Sequence, residues 1–269
     1  MRGRTDLISE KTGFDKTTEG LVKKTISKSD AVLQFAEIKT ESAAKKLEKP
    51  IGKYFTVRFS RLDTLISTEE IEQFLVESFN ALLPDNRENI LTVGLGNSDI
   101  TPDALGPLVA SKIIVTRHIS NDIKKQTGLL CLKNVSSVIP GVLGKTGIEA
   151  VSSVKAIAES IKPSAIIVID ALAAAAPERL CRTFQLTDTG ISPGSGVNNR
   201  RKAFNKAAFG VPVIAVGMPT VIDYNEGDGM MVTPKDIDLL NEKAAQILSS
   251  ALNRFLQPDT DPEALNVLA

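Results

Sequence analysis

Apolar positions repeat along this chain in two rhythms, and the balance between them shifts near residue 90. Phe55, Val57 and Phe59 alternate with Tyr54, Thr56 and Arg58, a period of two that predicts a strand with one buried face. Ile71, Phe74, Leu75, Phe79 and Leu82 then recur at helical spacing, and Pro84 closes the run. Ser67 and Glu70 stand three residues apart ahead of it, the spacing of a capping box in which hydroxyl and carboxylate satisfy orphan amides at a helix start. This helix is expected to cover the sheet that follows. Upstream, Lys23, Lys24, Lys28, Lys39, Lys45, Lys46 and Lys49 alternate with acids, and the apolar signal is weak.

Beyond residue 90 the texture changes. Ile90–Gly96, Ser164–Asp170 and Val211–Gly217 are nearly continuous apolar runs. Apolar on both faces, such strands suit a buried parallel or mixed sheet with helices on either side. Ile148, Val151, Val154, Ile157, Ala158 and Ile161 predict a crossover helix over Gly147–Ile161. Thr233-Pro234-Lys235-Asp236 opens a last helix, with threonine as cap and proline at the first helical position. Its apolar face, Ile237, Leu240, Ala244, Ile247, Ala251 and Phe255, lasts until Pro258. The prediction is an α/β fold, three layers around a mostly parallel central sheet. Residues 1–89 form a small N-terminal extension with one strand and a covering helix, 90–258 the α/β core with its C-terminal helix, and 259–269 a tail.

Composition removes several function classes. Over 269 residues, 32 basic side chains balance 32 acidic ones, which gives no electrostatic case for a nucleic-acid or polybasic membrane binder. No apolar run reaches the roughly 18–20 residues a membrane-spanning helix needs. The start, MRGRTDLISE, is charged and has no apolar centre, unlike a secretory signal. Two isolated cysteines, Cys131 and Cys181, make neither a disulfide framework nor a CxxC site, so a reducing cytoplasm is expected. The single histidine, His118, rules out a three-histidine zinc centre.

Ligands of open α/β sheets gather outside the carboxyl ends of the strands, and three segments fall there. Gly94-Leu95-Gly96-Asn97 with Asp99, Thr101, Pro102 and Asp103 follows the first core strand, Asp170 ends the second, and Thr187–Gly196 is a turn-rich loop before Arg200-Arg201-Lys202. A dinucleotide reading of Gly94-Leu95-Gly96 fails because position 99 is aspartate, a charge that pyrophosphate would not tolerate. Asp188-Thr189-Gly190 is the tripeptide of pepsin-type proteases, yet those are all-β and pair two such loops. Gly194-Ser195-Gly196 lacks the strand–turn–helix setting of a nucleophile elbow. Asp103 and Asp170 are the more informative pair, at the ends of strands expected to be neighbours. Two carboxylates sharing a site cannot both ionise comfortably, and the pair can divide acid and base roles in hydrolysis. On pattern alone the other reading stays open, with Asp103 a helix cap and Asp170 a solvated strand end.

Several long, collinear segments resemble one family, the germination proteases of endospore-forming bacteria. They are Arg4-Thr5-Asp6-Leu7, VGLGN to TPDALGP over 93–107, VTRH from Val115, PGVLGKTGIE from Pro140, IDALA from Ile169, DTGISPGSG from Asp188 and GVPVIAVGMPTVID from Gly210. The resemblance implies an aspartic-type endopeptidase with a fold similar to hydrogenase-maturation proteases. It further implies a self-processing zymogen with a short prosegment, a homotetramer, and small acid-soluble spore proteins as substrates during germination, in the cytoplasm of the spore core. By resemblance the two working aspartates are Asp103, in TPDALGP, and Asp170, in IDALA. Asp188, His118 and Asn97 are expected as substrate-binding or supporting contacts, and Asp99 as a third carboxylate acting on Asp103. No cofactor is expected, and nucleic acid and membrane are not expected partners. Two alternatives stand: a metal-assisted peptidase of the hydrogenase-maturation type, using magnesium or manganese on oxygen ligands, and a homologue that binds spore proteins without cleaving them.

Overall fold

The structure, a computed structural model, describes residues 5–11, 14, 17–62, 64–65, 67–83, 88–193, 202–223 and 230–260. Its frame is a nine-stranded sheet. In chain order the strands are β1 (Leu21–Ser27), β2 (Ala31–Ile38), β3 (Gly52–Phe59), β4 (Asn89–Gly94), β5 (Asn134–Val138), β6 (Ala165–Ala174), β7 (Thr183–Thr187), β8 (Val213–Asp223) and β9 (Met231–Val232), and the helices are α1 (Glu41–Leu47), α2 (Glu69–Leu82), α3 (Leu105–Ala110), α4 (Asn121–Gln126), α5 (Leu143–Thr146), α6 (Ala150–Ile161), α7 (Lys206–Phe209) and α8 (Ile237–Leu256). The spatial order is β1-β2-β3-β7-β8-β6-β4-β5, with β9 on β8. Pairings among β5, β4, β6 and β8 are parallel, and all others are antiparallel. The α/β class holds. The sheet is mixed, however: parallel where the continuous apolar runs lie and antiparallel where the N-terminal extension and β7 widen it.

The parallel half is buried by the alternation of its own side chains. On β6, Ile167 and Ile169 face one apolar cluster while Ile166 and Val168 face another. Three helices fill the first face: α2 (Glu69–Leu82), α3 (Leu105–Ala110) and α8 (Ile237–Leu256). Stacked Phe79 and Phe255 rings, 5.3 Å between centroids, join α2 to α8. On the second face α6 (Ala150–Ile161) brings Val151 and Val154 against Leu91, Val93, Ile166 and Val168. These are the expected three layers. Among the described residues no helix is long and apolar enough to cross a membrane.

The N-terminal extension departs from the expected single strand. Two further strands, β1 and β2, precede β3, and β1 gives no apolar alternation because it is an edge strand, exposed along nearly its whole length. Lysines on such an edge discourage pairing with other chains and also erase the alternation that marks a strand. Ser67 and Glu70 do not form their capping box either. The Glu70 carboxylate instead accepts the Asp30 amide (2.8 Å) and the Ser29 hydroxyl (3.0 Å), fastening the β1–β2 turn to α2. At the far end of the chain, α8 starts at Ile237 rather than beside Thr233. The Thr233 hydroxyl donates to the Thr220 carbonyl (2.8 Å) and so ties the end of β9 to β8.

The segment Thr5–Glu10 is stitched to the far end of β6. Asp6 exchanges two bonds of 2.9 Å with Ala173, its amide donating to that carbonyl and its carboxylate accepting that amide. Leu7 is buried between Leu172 and Ala174. Glu10, itself buried, accepts the amides of Ala175 (2.8 Å) and Ala176 (2.9 Å) as well as the Thr5 hydroxyl. Glu10→Ala removes the acceptor of two backbone amides at once, so it is expected to cost about 3 kcal/mol of stability. The midpoint of urea unfolding would report that loss.

Candidate active site

Parallel strands deliver their carboxyl ends to one edge of the sheet, and there the chain after β4 doubles back. Leu95 still pairs with β6, its amide donating to the Ile169 carbonyl (2.8 Å). Gly96 then takes φ +118, and a Cβ at that position would stand 2.0 Å from the Asp103 carbonyl oxygen. Only glycine fits so near approach with that dihedral. The return brings the Asn97 amide onto two of the oxygens of Asp103, the main-chain carbonyl (3.1 Å) and the carboxylate Oδ2 (2.9 Å).

Asp103 closes a one-turn 3-10 helix, Thr101–Asp103, that leads into α3. Its carboxylate does not cap α3, since Ala104 is the N-cap residue and no side chain caps it. The turn is anchored from behind by Asn241 of α8, fully buried, whose amide donates to the Thr101 carbonyl (2.6 Å).

Asp170 belongs to β6 and continues the alternation of Ile166 and Val168, so it faces the α6 side of the sheet. It is 5% exposed, which removes the solvated-strand-end reading. Its Oδ1 accepts the amide of Ala171 (3.0 Å). Immediately beyond, between Leu172 and Ala173, the register with β8 slips.

Asp103 and Asp170 line the same cavity, about 380 Å³ in volume. Its walls are largely apolar, with Leu95, Val142, Val151, Leu172, Ile191 and Phe204 among them. Three further charged residues reach it: Asp6, Glu149 and Lys202. A concave, mainly apolar site with a few convergent polar groups is the usual form of a ligand-binding cavity. Asp6 and Glu149 were not among the predicted site residues. Asp6 owes its place to Ala173, far along the chain, and Glu149 to the point where α6 begins. The one sequence signal for Asp6 is its position in the Arg4-Thr5-Asp6-Leu7 segment, of which Arg4 lies outside the described residues.

The remaining expectations resolve differently. Asn97 serves Asp103 through its backbone, while its side chain accepts the Asp99 amide (3.1 Å) in a local turn. Asp99 turns away from Asp103 to pair with Lys145, whose hydrogen-bonded ammonium holds the Asp99 carboxyl below the usual carboxylate range. Asp188 is not in the cavity: it accepts the Lys53 amide (2.8 Å) and secures the start of β3 to the end of β7. His118 lies at the opposite end of the sheet, exposed, next to Arg117, which donates to Asn89 at the start of β4 (3.0 Å). A lone aspartate in a turn motif and a lone histidine carry no information about which strand end they will meet. Gly194-Ser195-Gly196, Arg200 and Arg201 lie outside the described residues.

The chain is similar to known proteins along most of its length. The model of the germination protease family matches residues 5–226. The germination protease of Clostridium perfringens (strain 13) is 35% identical, with 98% of this chain and 98% of that protein aligned. That of Clostridium tetani is 38% identical over 84% of this chain and 85% of its own, and that of Caldanaerobacter subterraneus 36% over 86% of each. Among solved structures, a [NiFe] hydrogenase maturation protease, HycI of Thermococcus kodakarensis, overlaps 61% of this chain and 92% of its own at 18% identity, with a TM-score of 0.36.

Proposed function

The chain belongs to the germination protease family, and on that premise we propose that it is the endopeptidase that starts the breakdown of small acid-soluble spore proteins at germination, in the spore core. The observation that supports this reading is that Asp103 and Asp170 line one cavity at the carboxyl ends of β4 and β6. One carboxylate is ionised and takes a proton from a water molecule as that water attacks the scissile carbonyl. The other holds a proton and donates it to the departing amine. Asn97 fixes Asp103 and the Ala171 amide fixes Asp170, so both reach the substrate from rigid supports, as positioned catalysis requires.

Self-processing belongs to the same proposal. Asp6 lines the cavity with the two aspartates, so a residue close to the N-terminus already belongs to the wall of the site. Assembly as a homotetramer is part of the reading too, and light scattering of the purified protein measures it directly.

The reaction is proposed to need no resident metal. Among the described residues no three carboxylate, imidazole or thiol groups gather where they could hold an ion. Incubation with a small acid-soluble spore protein, followed by gel electrophoresis, is expected to yield discrete fragments, and the same fragments after exhaustive chelation. Binding without fragments would make the chain a non-catalytic spore-protein binder. Activity lost to chelator and restored by magnesium or manganese would make it the metal-assisted peptidase.

A further inference from the structure

The helix α8 and its C-cap residue hold neighbouring loops by three amide side chains. Gln257 accepts the Lys133 amide (3.0 Å) and donates to the Lys133 carbonyl (3.0 Å). Asn253 accepts the Ile114 amide (3.0 Å) and donates to the Lys112 carbonyl (3.1 Å). Each of these two uses both of its ends, and each ties down chain near the start of β5 or the end of α3. Asn241 differs. It is 0% exposed, its NH2 donates to the Thr101 carbonyl (2.6 Å), and its Oδ1 has no hydrogen-bond partner among the described residues. Because a carbonyl only accepts, Thr101 fixes which way the amide faces. An unpaired amide oxygen in the interior costs free energy. The α8 neighbours of Asn241, namely Leu240, Ala244, Ala245 and Leu248, belong to the apolar core, so leucine would suit that stripe better. The one gain that offsets the loss lies at Thr101.

What lies there is the turn of Asp103. The 3-10 helix Thr101–Asp103 has no buried residue, and Ile100 ahead of it is 52% exposed. Side-chain packing does not fix such a turn, so hydrogen bonds have to. The Asn97 amide holds it at Asp103, and Asn241 holds it at Thr101. We propose that Asn241 is a positioning residue of the hydrolysis, setting the place of the Asp103 carboxylate from outside the cavity. The inference rests on the reading of Asp103 as a catalytic group and adds the part that keeps it still. Asn241 does not line the cavity, so it acts on the rate through Asp103 and makes no contact with substrate. A reacting group displaced by about 1 Å costs on the order of a hundredfold in rate.

The test is Asn241→Leu, which keeps the branching of the side chain and removes both polar atoms. On a small acid-soluble spore protein, kcat is expected to fall about tenfold to a hundredfold while KM stays within about twofold. The melting temperature holds within a few degrees, because the unpaired oxygen leaves with the amide. Hydrogen exchange at the Asn97 amide, which Asp103 accepts, quickens about tenfold or more, while exchange at the Ile167 amide in the middle of β6 is unchanged. Asn253→Leu is the counterpart. It takes the partner from two backbone groups, so it lowers the melting temperature by about 5 °C and leaves kcat as it was. An unchanged kcat in Asn241→Leu overturns the proposal, as does a loss confined to KM or an Asn97 amide that exchanges as in the parent. If Asn241→Leu does not fold, Asn241→Ala carries the same expectations for kcat, KM and exchange, and the same outcomes decide. Should the parent protein cleave no spore protein, the peptidase reading fails on its own. Exchange at Asn97 then judges the tether alone: faster in the variant upholds it, and equal refutes it.

Discussion

Asp170→Asn is expected to abolish peptide hydrolysis and leave the fold intact. The asparagine has the same shape, and its carbonyl oxygen can keep the bond from the Ala171 amide that Asp170 Oδ1 now accepts at 3.0 Å. What it loses is the capacity to gain or release a proton. General acid–base groups contribute roughly 10²–10⁴ in rate, so kcat should fall by at least that lower bound on any protein substrate. Asp103→Asn should fall equally far, and the double variant scarcely further, because residues that act as a unit are not additive. Thermal unfolding should hold within a degree or two of the parent. Near-normal cleavage by either single variant would remove the aspartate pair from the mechanism.

The second large effect is expected from a residue with no side chain. Gly96→Ala sets a methyl group 2.0 Å from the Asp103 carbonyl oxygen, on a backbone at φ +118. Neither problem yields to a rotamer change, because the obstacle is main chain. The turn must open, and the Asn97 amide then loses its two bonds to Asp103. Strained left-handed backbone costs of order 1–3 kcal/mol, and displacement of a reacting group by about 1 Å costs on the order of a hundredfold in rate. Both losses should appear together, in unfolding and in kcat. Gly144→Ala is the control, since a Cβ there meets nothing within 4 Å, and it should change neither.

How much of this was readable beforehand depends on what each element answers to. The strands β4, β6 and β8 declared themselves because burial on both faces demands apolar residues at most positions, and the α8 stripe did so because one helical face packs on α2. The strand β1 lies where exposure lets lysine replace the pattern, whereas β2 has no lysine and buries Ala31, Leu33, Ala36 and Ile38, an alternation broken between Leu33 and Ala36. That Asp103 and Asp170 would line one cavity was legible because both follow apolar runs that had to be neighbours. Asp6, by contrast, enters the cavity through bonds to Ala173, and nothing local to Asp6 encodes that partner. Asp188 shows the opposite case: its tripeptide is conspicuous, yet it lies outside the cavity lining and its carboxylate accepts the Lys53 amide. Thr233 likewise looked like a cap, yet its hydroxyl donates to the Thr220 carbonyl and the helix opens only at Ile237.

The junction of β3 with β7, Tyr54 against Thr187 through Arg58 against Thr183, has a bearing on how the molecule comes into being. A ribosome releases β1, β2 and β3 first, yet the strand that seats them on the rest of the sheet is released only after β4, β5 and β6. Non-local pairings of this kind slow the closing step. The earliest part of the polypeptide to emerge is therefore the last to be docked, and it waits as a three-stranded ribbon with one unguarded border until more than half the chain has been made.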